Sequence, residues 1–251
     1  MSSKIGLKLA RKYSINFSLP IRLKKMIKFV IIHYTGMKSE SSAIKKLCDA
    51  KSNVSSHYYI KYNGDILQLV PELYEAWHAG KSTWKNYNSI NKYSIGIEIS
   101  NPGHQHNYRR YTKQQITSLK KLLKYLMKKY NVKRQAILGH SDIAPDRKKD
   151  PGEKFPWNEL AKIKLSWTHS LDIKKLVKFR KIKLSSSLEK NFFLSNLRKL
   201  GYMRINSLNS KKKTNLLVKA FQRRFRQDLV NGIIDKECLL ISKNLLKHQN
   251  Y

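Results

Sequence analysis

Short apolar runs punctuate this chain, and several end on a residue with chemistry to offer. Phe29-Val30-Ile31-Ile32 is rich in β-branched side chains, too short for a helix, and ends on His33. It predicts a buried strand from Lys28 to His33. Ser42 to Lys51 places Ile44, Leu47 and Cys48 at helical spacing, and His57 to Ile60 and Asp65 to Val70 flank Asn63-Gly64. Asn-Gly between two apolar runs is a two-residue hairpin signal, so these runs predict antiparallel neighbours. From Tyr93 to Ser100 the pattern alternates, with Ile95, Ile97 and Ile99 on one face and Gly96 and Glu98 on the other. Glu98 is therefore the one charged side chain on its face of a strand that reads as buried. Thr112 and Gln115 fit a capping box, and Ile116, Leu119, Leu122, Leu123, Leu126, Met127 and Tyr130 continue in steps of three and four. That is a long amphipathic helix with its lysines toward water. Ala136-Ile137-Leu138 predicts one more strand, which delivers His140.

Strands and helices alternate and one hairpin sits among the crossovers, so the fold class is α/β, with a mixed β-sheet flanked by helices. The character changes further on. Trp167 to Leu184 is lysine-rich and weakly periodic, whereas Asn191 to Leu200, Leu216 to Phe225 and Glu237 to Leu246 read as three short helices, with turns at Gly201 and Gly232. The expected organisation is a basic lead-in (1–24), a catalytic-sized domain (25–166), a linker (167–185) and a small three-helix module (186–251).

Composition narrows the class. A chain of 251 residues with 41% apolar residues can bury a real core, and none of its runs approaches the roughly 20 apolar residues of a membrane span. The formal charge of +36 suits an anionic partner such as nucleic acid, an acidic membrane face or a wall polymer, but the lysines are spread along the chain instead of forming one stripe. Phosphate contacts of a diffuse kind would be strongly salt-dependent, and no specific nucleic acid is expected. Cys48 and Cys238 lie far apart, so no disulfide framework is expected. Between Met1 and Pro20 the apolar residues are interrupted by Lys8, Arg11, Lys12 and Asn16, and the unbroken core of a secretory signal is not visible.

Two strand-end histidines, His33 and His140, an aspartate in a turn-rich loop, Asp150, and a carboxylate on a buried strand, Glu98, form a set that no one of them makes alone. Zinc favours imidazole nitrogen with an oxygen or sulfur donor, and catalytic sites use three protein ligands with a fourth position open. His33, His140 and Asp150 supply that count. Glu98 is left as a general base for a water beside the metal. Lys148, two residues before Asp150, would put a cation where a carbonyl oxygen gains negative charge, although in so lysine-rich a chain spacing does not single it out.

Five blocks carry a resemblance: Phe29-Val30-Ile31-Ile32-His33-Tyr34-Thr35, Val54-Ser55-Ser56-His57-Tyr58, Ala76-Trp77-His78-Ala79-Gly80, Ser94-Ile95-Gly96-Ile97-Glu98, and Gly139-His140-Ser141-Asp142-Ile143-Ala144-Pro145 through Asp150-Pro151-Gly152. In this order, over residues 27 to 160, the chain resembles the zinc-dependent N-acetylmuramoyl-L-alanine amidases of the AmpD/AmiD type, whose fold is shared with peptidoglycan recognition proteins. The resemblance implies one zinc on His33, His140 and Asp150, Glu98 as base and Lys148 as electrophilic stabiliser. It also implies a substrate groove lined by His57, Trp77 and His78. The bond cut would join the lactyl group of N-acetylmuramic acid, including its 1,6-anhydro form, to L-alanine of the stem peptide. Leu197 to Tyr202 and Val218 to Phe225 are similar to the peptidoglycan-binding module that follows the catalytic domain in AmiD-type enzymes. The partners implied are peptidoglycan or muropeptides, met by a monomer. The alternative is a protein of this fold that recognises muropeptides without cutting them, which is expected where metal ligands are missing. No signal is visible, which points to the cytoplasm, while the C-terminal module points to the cell envelope.

Overall fold

The computed structural model describes residues 9–202 and 211–248. Residues 1–8 of the predicted lead-in, and 203–210 and 249–251 of the predicted helical module, lie outside the described residues. In chain order the strands are β1 (Leu9–Arg11), β2 (Phe17–Ser18), β3 (Phe29–Tyr34), β4 (Tyr58–Ile60), β5 (Ile66–Gln68), β6 (Glu75–Ala76), β7 (Thr83–Trp84), β8 (Tyr87–Asn88), β9 (Ser94–Ile99) and β10 (Ile137–Gly139). The α-helices are α1 (Glu40–Cys48), α2 (Lys113–Tyr130), α3 (His140–Ile143), α4 (Trp157–Lys162), α5 (Ile173–Leu176), α6 (Ser187–Leu200), α7 (Lys211–Phe225) and α8 (Lys236–Lys247). Six strands form one sheet in the order β1-β5-β4-β9-β3-β10. The β4, β9, β3 and β10 strands run parallel, β5 is antiparallel to β4 across the Asn63-Gly64 turn, and β1 is parallel to β5. The sheet is mixed, as the pattern of hairpin and crossovers implies.

The unbroken apolar run of β3 is explained by burial on both faces. Val30 and Ile32 join Ile95, Ile97 and Ile99 under Leu119, Leu122, Leu123 and Leu126 of α2. Phe29 and Ile31 face the other way and share one apolar cluster with Phe193, Leu197, Val218, Phe221, Phe225, Ile241 and Leu245 of α6, α7 and α8. The N-terminus of α2 carries the predicted capping box, with the Thr112 side chain accepting from the Gln115 backbone N–H and the Gln115 side chain accepting from that of Thr112.

One predicted boundary gives way. Trp167, Leu176 and Leu184 are buried in the same cluster as the C-terminal helices and the sheet, so residues 167–185 do not form a free linker. The three helices are packed on the sheet through a continuous apolar core instead of hanging from it. The weak periodicity of 167–185 reflects short segments, α5 and a 3-10 turn at Val177–Phe179, which each bury only one or two side chains.

A third cluster, Ala43, Ile44 and Leu47 of α1 with Tyr59, Leu67 and Leu69, covers the far end of the sheet. At the C-terminal ends of β3, β9 and β10 lies a cleft of about 360 Å³. Such ends of parallel strands are where open α/β sheets place their ligands.

Candidate active site

Strand register assembles the cleft floor. His33 pairs with Glu98 across β3 and β9, so both side chains stand on the same face. The β10 strand runs beside β3 and ends at Gly139, from which α3 begins with His140. The loop then returns Asp150, tied back by the Ser141 N–H donating to the Asp150 carbonyl at 2.9 Å. Gly139 is required by close approach, because a Cβ there would lie 2.6 Å from Cδ of Pro151.

The result is a tight three-atom cluster. His33 Nδ1 and His140 Nδ1 are 2.9 Å apart, and each is 3.1 Å from Asp150 Oδ2. Among the described residues this is the one group of histidines, cysteines and carboxylates arranged to hold a metal ion. The hydrogen bonds behind it fix which nitrogens carry protons. The Ser94 hydroxyl donates to the Ile90 carbonyl at 2.7 Å, so its oxygen accepts the Nε2–H of His78 at 3.1 Å. Burial, and then the crowding of His33 and His57 against any added positive charge, drives His78 well below the ordinary histidine pKa and keeps it neutral. Its Nδ1 therefore accepts from His33 Nε2–H at 3.0 Å. His33 is neutral too, pushed down to about 4 by burial and then by His140, so its Nδ1 presents a lone pair. His140 donates Nε2–H to the Ala79 carbonyl at 3.1 Å, which leaves its own Nδ1 toward the cluster.

Three electron-pair donors thus converge within about 3 Å, two of them imidazole nitrogens oriented by outer hydrogen bonds. That arrangement is repulsive unless a cation lies among them, and imidazole with carboxylate is a donor set that zinc accepts. His33, His140 and Asp150 fit the group that their residue types predict.

Glu98 stands beside this cluster at the cleft floor, and its Oε2 is buried with no hydrogen-bond partner among the described residues. Burial raises it to about 8, the charge of Asp150 adds to the rise, and the Lys148 and Lys46 ammonium groups oppose it. A carboxyl poised near neutrality with a free oxygen can both take and return a proton. Lys148 is half-buried in the cleft wall, with Lys46, Arg147 and Lys149 around the same opening.

The expected groove residues fare differently. Trp77 lines the cleft, and its indole N–H donates to Ser18 Oγ at 2.8 Å. His78 also reaches the cleft, but both its ring nitrogens are taken, so its place in the structure is to orient His33. Gly96 makes room for it, since a Cβ there would meet the His78 ring at 2.4 Å. His57 is corrected. It is fully buried behind the floor, its Nδ1 accepting from the Gly96 N–H and its Nε2–H donating to the Tyr74 carbonyl, with the Arg22 guanidinium alongside. With both nitrogens occupied and no exposed surface, it cannot meet a ligand.

Two residues at the site have a role that the sequence does not assign: Ser94, although it opens one of the motif blocks, and Arg147, which joins His140 on the Ala79 carbonyl. Just behind His140, Asp142 accepts from the Gly139 N–H, the Tyr202 hydroxyl and Arg224 of α7 at 2.8, 2.8 and 3.0 Å. Gln227 donates to the carbonyls of Glu153 and Phe155 on the other arm of the loop. Arg224 of α7, with Tyr202 and Gln227 from the segments that follow α6 and α7, therefore holds both arms of the loop that carries His140 and Asp150.

Fold and site together define a class: an α/β protein whose cleft is floored by a His-His-Asp cluster able to bind a metal, with a half-buried carboxyl next to it. The family model for N-acetylmuramoyl-L-alanine amidase matches residues 23–153, just over half of the chain. N-acetylmuramoyl-L-alanine amidase AmiD of Escherichia coli (strain K12) is 35% identical over 234 residues, which cover 88% of this chain and 83% of that protein. This chain belongs to the N-acetylmuramoyl-L-alanine amidase family, and it is an enzyme of that type. The 1,6-anhydro-N-acetylmuramyl-L-alanine amidase AmpD of Haemophilus influenzae is 40% identical over 105 residues, 41% of this chain and 55% of the relative. Among solved structures, the complex of E. coli AmiD with anhydro-N-acetylmuramic acid-L-Ala-D-gamma-Glu-L-Lys superposes with a TM-score of 0.79 at 31% identity, over 92% of each chain. AmpDh3 from Pseudomonas aeruginosa in complex with anhydromuramic pentapeptide gives 0.78 at 29% identity, over 92% of this chain and 96% of that one.

Proposed function

We propose that this chain is a zinc amidase that hydrolyses the amide between the lactyl group of N-acetylmuramic acid and L-alanine of the stem peptide, and that it accepts the 1,6-anhydro form. The observation that carries the reading is the convergence of three lone-pair donors beside the half-buried Glu98 carboxyl, whose buried Oε2 has no partner among the described residues. The complexes of two similar proteins with anhydro-muropeptides support the substrate class.

Zinc held by His33, His140 and Asp150 supplies Lewis acidity toward the reacting oxygen atoms. Glu98 takes a proton from the attacking water as its oxygen bonds to the lactyl carbonyl carbon. The same carboxyl delivers that proton to the alanine nitrogen as the C–N bond breaks, so no covalent enzyme intermediate is needed. The Lys148 ammonium, in the cleft wall, stabilises negative charge on the former carbonyl oxygen. Ser94 and His78 keep His33 in the tautomer that offers Nδ1. Lys46, Arg147 and Lys149 give the cleft a positive rim that suits the carboxylates of a stem peptide, and Trp77 supplies an apolar wall beside the sugar. A recognition protein without turnover does not need an oriented ligand set together with a carboxyl near neutrality.

The test is incubation with purified sacculi and with anhydro-muropeptide, with and without chelator, with products identified by mass. Zinc-loaded protein should release the stem peptide, and the activity should disappear on chelation and return with zinc. Undiminished hydrolysis by a metal-free preparation, or none by the loaded protein, would overturn the reading.

A further inference from the structure

Residues 13–23 invert the usual rule of burial. Tyr13, Ile15, Leu19, Ile21 and Leu23 are 63%, 66%, 72%, 53% and 60% exposed, while the polar residues between them, Ser14, Asn16 and Arg22, are buried. The buried polar side chains anchor the segment. Ser14 Oγ donates to the Leu47 carbonyl, Asn16 Nδ2 to the carbonyls of Asp49 and Val54, and Arg22 to the carbonyls of Glu72, Tyr74, Asn91 and Ser94. Backbone bonds from Ser14 to Leu69 and from Arg22 to Leu73 fix the two ends. The segment is thus held firmly in place with its apolar side chains turned outward, which is not how a loose tail or a core strand is arranged. Rows of exposed apolar residues of this kind mark interaction surfaces.

Charge says what the row faces. Arg11 and Lys12 at one end and Lys24 and Lys25 at the other are exposed, and no acidic residue precedes Glu40. A second copy of a chain with a formal charge of +36 would meet this surface with like charge. An anionic glycan polymer would answer the lysines but leave the apolar row in water. An anionic lipid surface answers both, taking apolar side chains at the headgroup boundary and basic ones among the headgroups.

We propose that residues 11–25 form a docking surface for an anionic lipid bilayer. The inner side of the same segment touches the cleft wall, since Ser18 accepts from Trp77 and Ser55 donates to the Asn16 carbonyl, and both Trp77 and Ser55 line the cleft. Docking therefore holds the amidase cleft at the bilayer surface, where it would act on membrane-proximal substrate.

The test uses the full chain with vesicles of phosphatidylcholine alone and of phosphatidylcholine mixed with phosphatidylglycerol, separated by flotation. The protein should float with the mixed vesicles only. The I15S/L19S/I21S/L23S variant, which keeps every charge, should lose affinity by at least about ten-fold, because apolar insertion is removed. Its hydrolysis of soluble muropeptide should be unchanged, which separates this proposal from the zinc amidase reading. A Leu19→Trp variant should show blue-shifted emission on the mixed vesicles and quenching by brominated lipid. Equal binding by the serine variant would mean diffuse charge attraction and would overturn the proposal. So would an unshifted emission spectrum of the Leu19→Trp variant, or dimerisation in sedimentation that the serine substitutions abolish.

Discussion

His140 and Asp142 lie two residues apart on the same short helix, yet the polar clusters they belong to are opposites. Around Asp142 every group is answered: its carboxylate takes the Gly139 N–H, the Tyr202 hydroxyl and the Arg224 guanidinium, and Arg224 also donates to the Ile137 carbonyl and lies 4.0 Å over Trp157. Around His140 the oriented lone pairs of His33, His140 and Asp150 face one another, and Glu98 Oε2 has no partner among the described residues. A satisfied buried network is a brace, whereas an unsatisfied one beside a cleft is kept for something that arrives. The comparison also shows why the two are adjacent. Close-packed lone pairs need a rigid surround, and α7 supplies it from more than 70 residues further along the chain.

The contrast breaks most sharply at Glu98. Glu98→Gln keeps the shape and removes the proton acceptor, so turnover of anhydro-muropeptide should fall by about 10²–10⁴-fold. Zinc content, measured by atomic absorption, should stay at one per chain, while His140→Ala should lose it. A Gln variant with full turnover would move the general base elsewhere.

On the braced side the expected loss is in stability. Arg224→Met leaves the Asp142 carboxylate buried without its cation, a change of about 3–5 kcal/mol for a broken buried pair. Urea denaturation in chelator should show it, and the added substitution Asp142→Asn should recover part of the loss. If Arg224→Met alone were neutral, the C-terminal helices would not be bracing the loop.

Much of the site was legible because it rests on strand parity. His33 and Glu98 pair in register near the ends of β3 and β9, and His140 follows directly after β10, so a strand-end reading brings the three together. The residues that missed detection act through contacts with no fixed spacing. Ser94 matters only because the Ile90 carbonyl takes its proton, and Arg224 only because α7 reaches back across 82 residues to Asp142. His57 stood in a motif block and resembled a groove residue, but periodicity does not tell a histidine facing a cleft from one facing the protein behind it. The same limit hid residues 13–23, where alternation is clear and the inward face is the polar one.

The tautomer relay offers a subtler break. Ser94→Ala removes the acceptor that holds His78 Nε2–H, so His78 can turn its proton toward His33 and spoil the Nδ1 lone pair. Loss of such an outer partner typically weakens metal affinity 10–100-fold. Competition with a chromophoric chelator should show that drop, and Ser94→Thr, which keeps the hydroxyl, should not. Equal affinities for the wild type and the Ser94→Ala variant would mean that the tautomer is set elsewhere.

The smallest effect concerns His57, a buried group on the satisfied side of the comparison. Burial, then the charge of Arg22, lowers it to about 3, so it is neutral in the folded protein throughout the physiological range. In the unfolded chain it titrates near 6.5. As pH falls below that value the unfolded state takes up a proton that the folded state refuses, so the stability is complete above about 6.5 and declines toward 3. One such group contributes a slope of about 1.4 kcal/mol per pH unit. Other buried histidines add to it, so the informative quantity is a difference. Denaturation of metal-stripped wild type and His57→Asn between neutral pH and pH 5 should give a wild-type slope steeper by about one proton. Coincident slopes would mean that His57 gains its proton in the folded state, and its bonds to Gly96 and Tyr74 would then need another arrangement.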